Sequence, residues 1–153
     1  TCPVRLRDVE IRETVEQGLS ANESLELSLE RVEFSDLLTG AMNISTGSTL
    51  RAIDLLISNV EGTPARLGCN APRCSGTGLF ANTGGQLVAE RFLVRGCRGF
   101  GLRIESDGAI ELSDGEVRES GVGAVATDPD FDTARILERV LYRDNGTDWA
   151  SGD

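Results

Sequence analysis

Leu27-Ser-Leu-Glu-Arg-Val-Glu-Phe-Ser-Asp-Leu37 sets apolar side chains at positions 27, 29, 32, 34 and 37 and fills the gaps with polar or charged ones. Alternation with a period of two belongs to a strand with one face turned to a core. Twenty-three residues on, Leu50-Arg-Ala-Ile-Asp-Leu-Leu-Ile-Ser-Asn-Val60 repeats the arrangement with other residues of the same character. Repetition at a fixed spacing is therefore the first property of this chain to follow.

Four-residue echoes carry the period through the molecule: Ile11-Arg-Glu-Thr14, Phe34-Ser-Asp-Leu37, Ile57-Ser-Asn-Val60, Val94-Arg-Gly-Cys97, Val117-Arg-Glu-Ser120 and Tyr142-Arg-Asp-Asn145. Their starts differ by 23, 23, 37, 23 and 25 residues, so one 23-residue unit recurs six times, with a 14-residue insertion after the third and two extra residues before the sixth. With the units stacked as rows, the column seven before the echo reads Val4, Leu27, Leu50, Leu87, Ile110 and Arg135, and the column two before it reads Val9, Val32, Leu55, Phe92, Gly115 and Val140. A Gly follows the echo in five rows (Gly18, Gly40, Gly78, Gly101, Gly123), leading into bursts such as Leu79-Phe-Ala81 and Leu102-Arg-Ile104. Each row thus predicts three short strands separated by Gly-bearing corners, and helical spacing is not sustained anywhere.

A unit that buries its inner face only against copies of itself is a solenoid. With three strands per coil and 23 residues per turn, residues 4–147 resemble the right-handed parallel β-helix, the pectin-lyase-like architecture. The predicted fold is all-β: a parallel β-helix of about six coils and about 30 Å length at about 4.8 Å per coil. The domain is predicted to be single, spanning 1–153, with an insertion loop at 61–77 and a C-terminal cap at about 146–153 in which Trp149 lies over the last coil. Leu29-x-x-Val32-x-Phe34-x-x-Leu37 also fits the start of a leucine-rich repeat, but that reading leaves the bursts after each Gly unexplained.

Three residues before the echo stand Asp8, Arg31, Asp54, Arg91, Asp114 and Arg139. In-register stacking would set each Asp beside an Arg one rung away, a favourable cross-strand arrangement that turns into like-charge repulsion when the coils slip. This column is read as a structural ladder.

Of the four Cys, Cys69 and Cys74 lie in the insertion, where a local disulfide would clasp a Gly- and Pro-containing loop and would imply an oxidising, secreted or cell-surface location. Cys97 falls in an inward column and reads as core. Cys2 is either free or bonded outside the chain, and the start at Thr1 rather than Met reads as processing or excision from a longer protein.

Two sets of carboxylates stand out. Glu10 and Glu33 face outward on adjacent rungs, and Glu13 and Asp36 stack at the following turn; pairs about 5 Å apart suit retaining glycosidase chemistry or Ca²⁺, and equally a solvated acidic face. Asp128, Asp130 and Asp132 open like a calcium loop, then depart from the EF-hand pattern, which leaves a weak calcium site or a plain acidic turn. Calcium is the single cofactor this sequence suggests.

All 15 basic residues are Arg, with no Lys and no His, and the net charge is −10. His-dependent triads, His metal sites and Schiff-base chemistry are excluded, and the acidic balance argues against nucleic acid as partner. No apolar run reaches the length of a membrane span. The resemblance implies two chemical styles. A polygalacturonase type needs a His that this chain lacks. A pectate-lyase type joins an acidic Ca²⁺ cluster to an Arg; here Arg95, Arg118 and Arg143 form an outward column without interleaved acids, so no catalytic residue is carried over. Leu56 and Leu93, Met42 and Phe80, and Phe100 are expected to point outward. The favoured function is a non-enzymatic secreted or surface module, a rigid scaffold contacting glycan or protein; the alternative is a lyase or glycoside hydrolase acting on an acidic polysaccharide. The first coil is expected to be covered by an upstream domain or by a second copy stacked end to end.

Overall fold

The structure, a computed structural model, describes residues 3–62 and 76–151. Its described strands form two parallel sheets. The first holds the long strands β1 (Val4–Arg12), β3 (Glu26–Leu37), β5 (Thr49–Val60) and β7 (Gln86–Cys97), then the shorter β9 (Ala109–Ser113), β10 (Gly115–Arg118) and β12 (Val140–Arg143). The second stacks β2 (Gln17–Ala21), β4 (Gly40–Ile44), β6 (Thr77–Ala81), β8 (Phe100–Ile104), β11 (Val122–Ala126) and β13 (Thr147–Ser151). One strand from each sheet makes a turn of a parallel β-solenoid of about six turns. The predicted period is realised in the pairing, since Val4 stands beside Leu27, Leu27 beside Leu50, Leu50 beside Leu87 and Leu87 beside Ile110.

The three straight runs are also present in the first four coils, but two of them belong to one strand that bends without breaking. The bend falls on the ladder column, where Asp8, Arg31, Asp54, Arg91 and Asp114 hold φ between 52° and 57°. A second column of positive φ ends the long strand: Glu13, Asp36, Asn59, Gly96, Glu119 and Asp144. The third corner uses two consecutive residues of this kind, Thr46-Gly47, Thr83-Gly84 and Ser106-Asp107, closed by bonds such as Gly85 N–H to Asn82 O at 2.8 Å. Positive φ costs an L-residue free energy, and Asp, Asn and Gly bear it best. That is why these residue types recur at the corners.

Inside lies one column-ordered core, in which Leu50, Ile57, Leu79, Leu87, Leu102 and Ile110 are fully buried. Each such side chain contributes about 1.5–3 kcal/mol by leaving water. Cys97 is part of it, beside Val60 in register, and burial pushes its thiol pKa up to about 12.

Four expectations are corrected. Met42 points inward: it pairs with Leu79 and is 1% exposed. The inward-leaning Gly column of the second coil is occupied by Ala41, because Gly40 stands in register with Gln17 and Thr77. The sixth coil opens on a helical turn, α1 (Ala134–Leu137), which packs on β9 and buries Ile136, so Arg135 is not a strand residue. The two extra residues of that row, with Pro129 and the Asp-rich turn before it, favour a turn over a strand here. Trp149 is likewise no separate lid. It sits on β13 beside Ala124, half-buried, as the last rung of the inward column. No helix among the described residues is long and apolar enough to cross a membrane.

Candidate functional site

The outward side of the short-strand sheet carries a groove of about 410 Å³. Parallel register fixes its floor: Asn43, Phe80 and Arg103 follow one another on β4, β6 and β8. Gln17 on β2 closes one side, and Ser45 and Asn82, the residues leaving β4 and β6, close the other.

Arg103 organises this surface. It is 7% exposed although it faces away from the core. Its guanidinium lies 5.3 Å from the Phe80 ring centre and 5.2 Å from that of Phe100, within cation–π range of both. Arg103 Nε donates to Glu105 Oε1 at 2.9 Å. The planar, weakly hydrated guanidinium is the cation best suited to such a sandwich. Phe80 and Phe100, expected to point outward, do so, and their faces are held by this arginine. Beside them, Asn43 Oδ1 is buried without a hydrogen-bond partner among the described residues. A buried amide oxygen without a donor is uncommon. Ser45 Oγ and Asn22 Oδ1 share a hydrogen bond at the groove's end. Amides, hydroxyls and one aromatic face make a surface suited to a neutral, polyhydroxylated ligand.

No protein-family model, curated protein or solved structure matches the chain.

The residues singled out from sequence fall elsewhere. Glu10 and Glu33 are adjacent in register, and Glu10 is ion-paired with Arg12. Glu13 and Asp36 occupy the second positive-φ column, and Asp36 Oδ1 accepts a hydrogen bond from Asn59 Nδ2 at 3.0 Å. Asp128 Oδ1 accepts the Asp130 N–H at 2.9 Å, and Asp132 Oδ1 accepts the Ala134 N–H at 3.2 Å. These acids thus shape the turn that leads into α1. Among the described residues no group of three or more His, Cys, Asp or Glu is gathered to hold a metal ion. Cys2, Cys69 and Cys74 lie outside the described residues.

The ladder is assembled as three ties. Arg31 grips Asp8 through Nε at 2.6 Å and Nη2 at 2.9 Å, Arg91 grips Asp54 at 2.8 and 3.1 Å, and Arg139 Nη2 reaches Asp114 at 2.7 Å. Each arginine reaches back to the preceding coil. The guanidinium bond holds the Asp8 and Asp54 carboxyls below their usual range. Leu56 and Leu93 are adjacent and half-buried. Tyr142 faces inward; its hydroxyl donates to Ile136 O at 2.9 Å, and burial raises its pKa.

Sequence reading missed Asn43, Asn82 and Arg103. Only Asn82 has an advance signal, the recurrence of Ala-Asn after the third strand at Ala21-Asn22 and Ala81-Asn82.

Proposed function

We propose that this chain is a non-enzymatic binding module: a rigid β-solenoid scaffold whose groove at Asn43, Phe80, Asn82 and Arg103 contacts a carbohydrate chain. The observation that carries the reading is the groove itself, with a buried, unpartnered Asn43 Oδ1 beside an aromatic ring held in place by Arg103. A sugar hydroxyl would supply the missing donor, and the exposed part of the Phe80 ring not covered by Arg103 would border the apolar side of a pyranose ring. A non-catalytic role is supported by the commitment of carboxylates to arginines, as in Asp8–Arg31, Glu10–Arg12, Glu105–Arg103 and Glu116–Arg143. The module works outside the cytoplasm, a location supported by the spacing of Cys69 and Cys74. Kinship with pectin-lyase-like proteins is part of the same proposal; it rests on the coil period and the three-cornered cross-section. The reading requires no cofactor.

Affinity electrophoresis through gels holding single soluble polysaccharides tests it. At least one neutral polysaccharide should retard the chain, and Asn43→Ala or Phe80→Ala should abolish the retardation while the fold is retained. Release of unsaturated ends or new reducing ends, with or without Ca²⁺, would instead make the chain an enzyme.

A further inference from the structure

On the long-strand sheet, the column immediately after the Phe34–Ile57–Val94 core column faces outward. Its register runs Arg12, Ser35, Ser58, Arg95, Arg118, Arg143. Three guanidinium groups therefore stand on consecutive rungs about 4.8 Å apart, and like charges directly opposite one another are destabilising. The acids that relieve this are grouped at one end. Glu116 Oε1 accepts from Arg143 Nε at 2.5 Å and lies 3.5 Å from Arg118 Nε, while Glu119 lies 3.7 Å from the same nitrogen.

Arg95 is placed differently. Its outward neighbours on its own coil and on the coil before it are Leu93, Leu56 and Ser58, all uncharged. Among the described residues no carboxylate pairs with it, and Arg95 Nε is buried without a hydrogen-bond partner. Two rungs away, Ser35 is 4% exposed, and its hydroxyl too is buried and unpartnered. Ser58, between them, is 3% exposed. An unpartnered buried donor on a cation, in line with a buried hydroxyl, in a chain whose net charge is −10, is an arrangement that costs stability unless an acceptor completes it.

We propose that Arg95, flanked by Ser58 and Arg118, is a binding site for an oxyanion, the carboxylate, sulfate or phosphate group of a ligand lying along the stacked rungs. The Arg95 guanidinium supplies the charge-assisted bond and the Ser58 hydroxyl a neutral donor, while Arg118, its charge shared with Glu116 and Glu119, bounds the site one rung away. The site is on a different sheet from the Arg103 groove and does not depend on it.

The ¹H–¹⁵N resonance of the Arg95 Nε–H reports on it directly. It is assigned by its loss in Arg95→Gln and in Arg95→Lys. Acetate, sulfate and phosphate are titrated separately at constant ionic strength held with chloride. At least one should displace that resonance saturably, and the thermal midpoint should rise with the same anion, by the linkage of binding to folding. Affinity should fall at least tenfold in Arg95→Gln, less in Arg95→Lys, and stay unchanged in Arg51→Gln on another face. A response to acetate alone marks a carboxylate ligand; a response to sulfate or phosphate marks a tetrahedral one. The proposal fails if none of the three shifts the resonance saturably, or if Arg95→Gln binds as well as the unaltered chain. Should Arg95→Gln not fold, Arg95→Lys and the titration of the unaltered chain still decide.

Discussion

The middle and the ends of the solenoid carry the same pattern of residues and bury it to different degrees. Strands β5 and β7 have a neighbour on each side, and Leu50, Ile57, Leu87 and Val94 on them are no more than 1% exposed. Strand β1 repeats the motif with Val4, Leu6, Val9 and Ile11, but its neighbour among the described strands is β3 alone. Val4 is 42% exposed and the other three are half-buried. At the far end, Val140 and Tyr142 on β12 are half-buried too. An inward-pointing side chain is thus only as buried as the coils on either side make it, which is the energetic rule of a stack of like units.

Truncating one core side chain in each place tests this rule. Ile57→Ala removes a fully buried side chain and should cost about 3 kcal/mol in urea unfolding. Ile11→Ala should cost well under half of that, because much of its surface is already wet. Equal losses would mean that the first coil is as well covered as the third.

The fifth coil, where the long strand is divided at Asp114 into β9 and β10, tests how neighbouring coils share space. A Cβ on Gly115 would stand 2.2 Å from Phe92 Cε1, so the Phe92 ring occupies the space a side chain would need. Gly115→Val should destabilise by about 2 kcal/mol through overpacking. Combined with Phe92→Leu, which makes that rung resemble the one holding Leu55, part of the loss should return. Strict additivity of the two changes would show that the large–small pairing plays no part in stacking.

The third test contrasts the two ends of one pH scale. Burial holds the Cys97 thiol pKa at about 12 against an ordinary 9.0, so above pH 9 the unfolded chain loses a proton that the folded chain keeps. Stability is therefore complete below pH 9 and falls by about 1.4 kcal/mol per pH unit above it. Tyr142, also raised by burial, adds to the slope above its ordinary 10.0. Cys97→Ala should flatten the profile between pH 9 and 10, and Tyr142→Phe should change it only above 10. A profile unaltered by Cys97→Ala would mean that the thiol is reached by water.

Much of this architecture was legible in the sequence because stacked coils impose one parity on every row; Val4, Leu27, Leu50, Leu87 and Ile110 can be aligned by eye. Alignment misled where a residue type recurred one place out of step. Gly40 reads as a member of the Gly column that Ala41 fills, and Met42 turns outward with it. The sixth row misled because its two extra residues could be absorbed as a bulge in a strand or as a helical turn, and burial of Ile136 decides for the turn. The groove was the least legible part. Asn43, Phe80 and Arg103 lie 37 and 23 residues apart and form no motif, and what distinguishes them is an unpartnered oxygen and a ring sandwich, both properties of geometry. Likewise Arg95, Arg118 and Arg143 are visible as a column, but nothing in the letters separates Arg95, without a counter-charge among the described residues, from Arg143, tied to Glu116.

The smallest expected effect concerns the ladder, whose pairs are exposed and so contribute modestly one by one. The middle tie, Asp54–Arg91, has Arg91 at φ 52°, whereas Arg139 at the end is not in the left-handed region. A long side chain at positive φ is uncommon, and the two-pronged grip on Asp54 is what offsets it. Arg91→Asp places a third carboxylate between Asp54 and Asp114 and should lower the thermal midpoint; Asp54→Arg combined with it should restore part of the loss. Arg91→Gly should be more stable than Arg91→Ala, because Gly relieves the backbone while both lose the tie. At Arg139, Gly should hold no such advantage over Ala. The Asp54 carboxyl lies below its usual pKa, so the contribution of the tie is present above the ordinary carboxylate range and disappears as pH falls through the lowered value. It should also shrink in 1 M salt, where screening acts over about 3 Å. If Arg91→Asp and the charge-swapped pair unfold at the same midpoint, at low salt and neutral pH, the alternation of Asp and Arg has no energetic role and the coils keep their register by core packing alone.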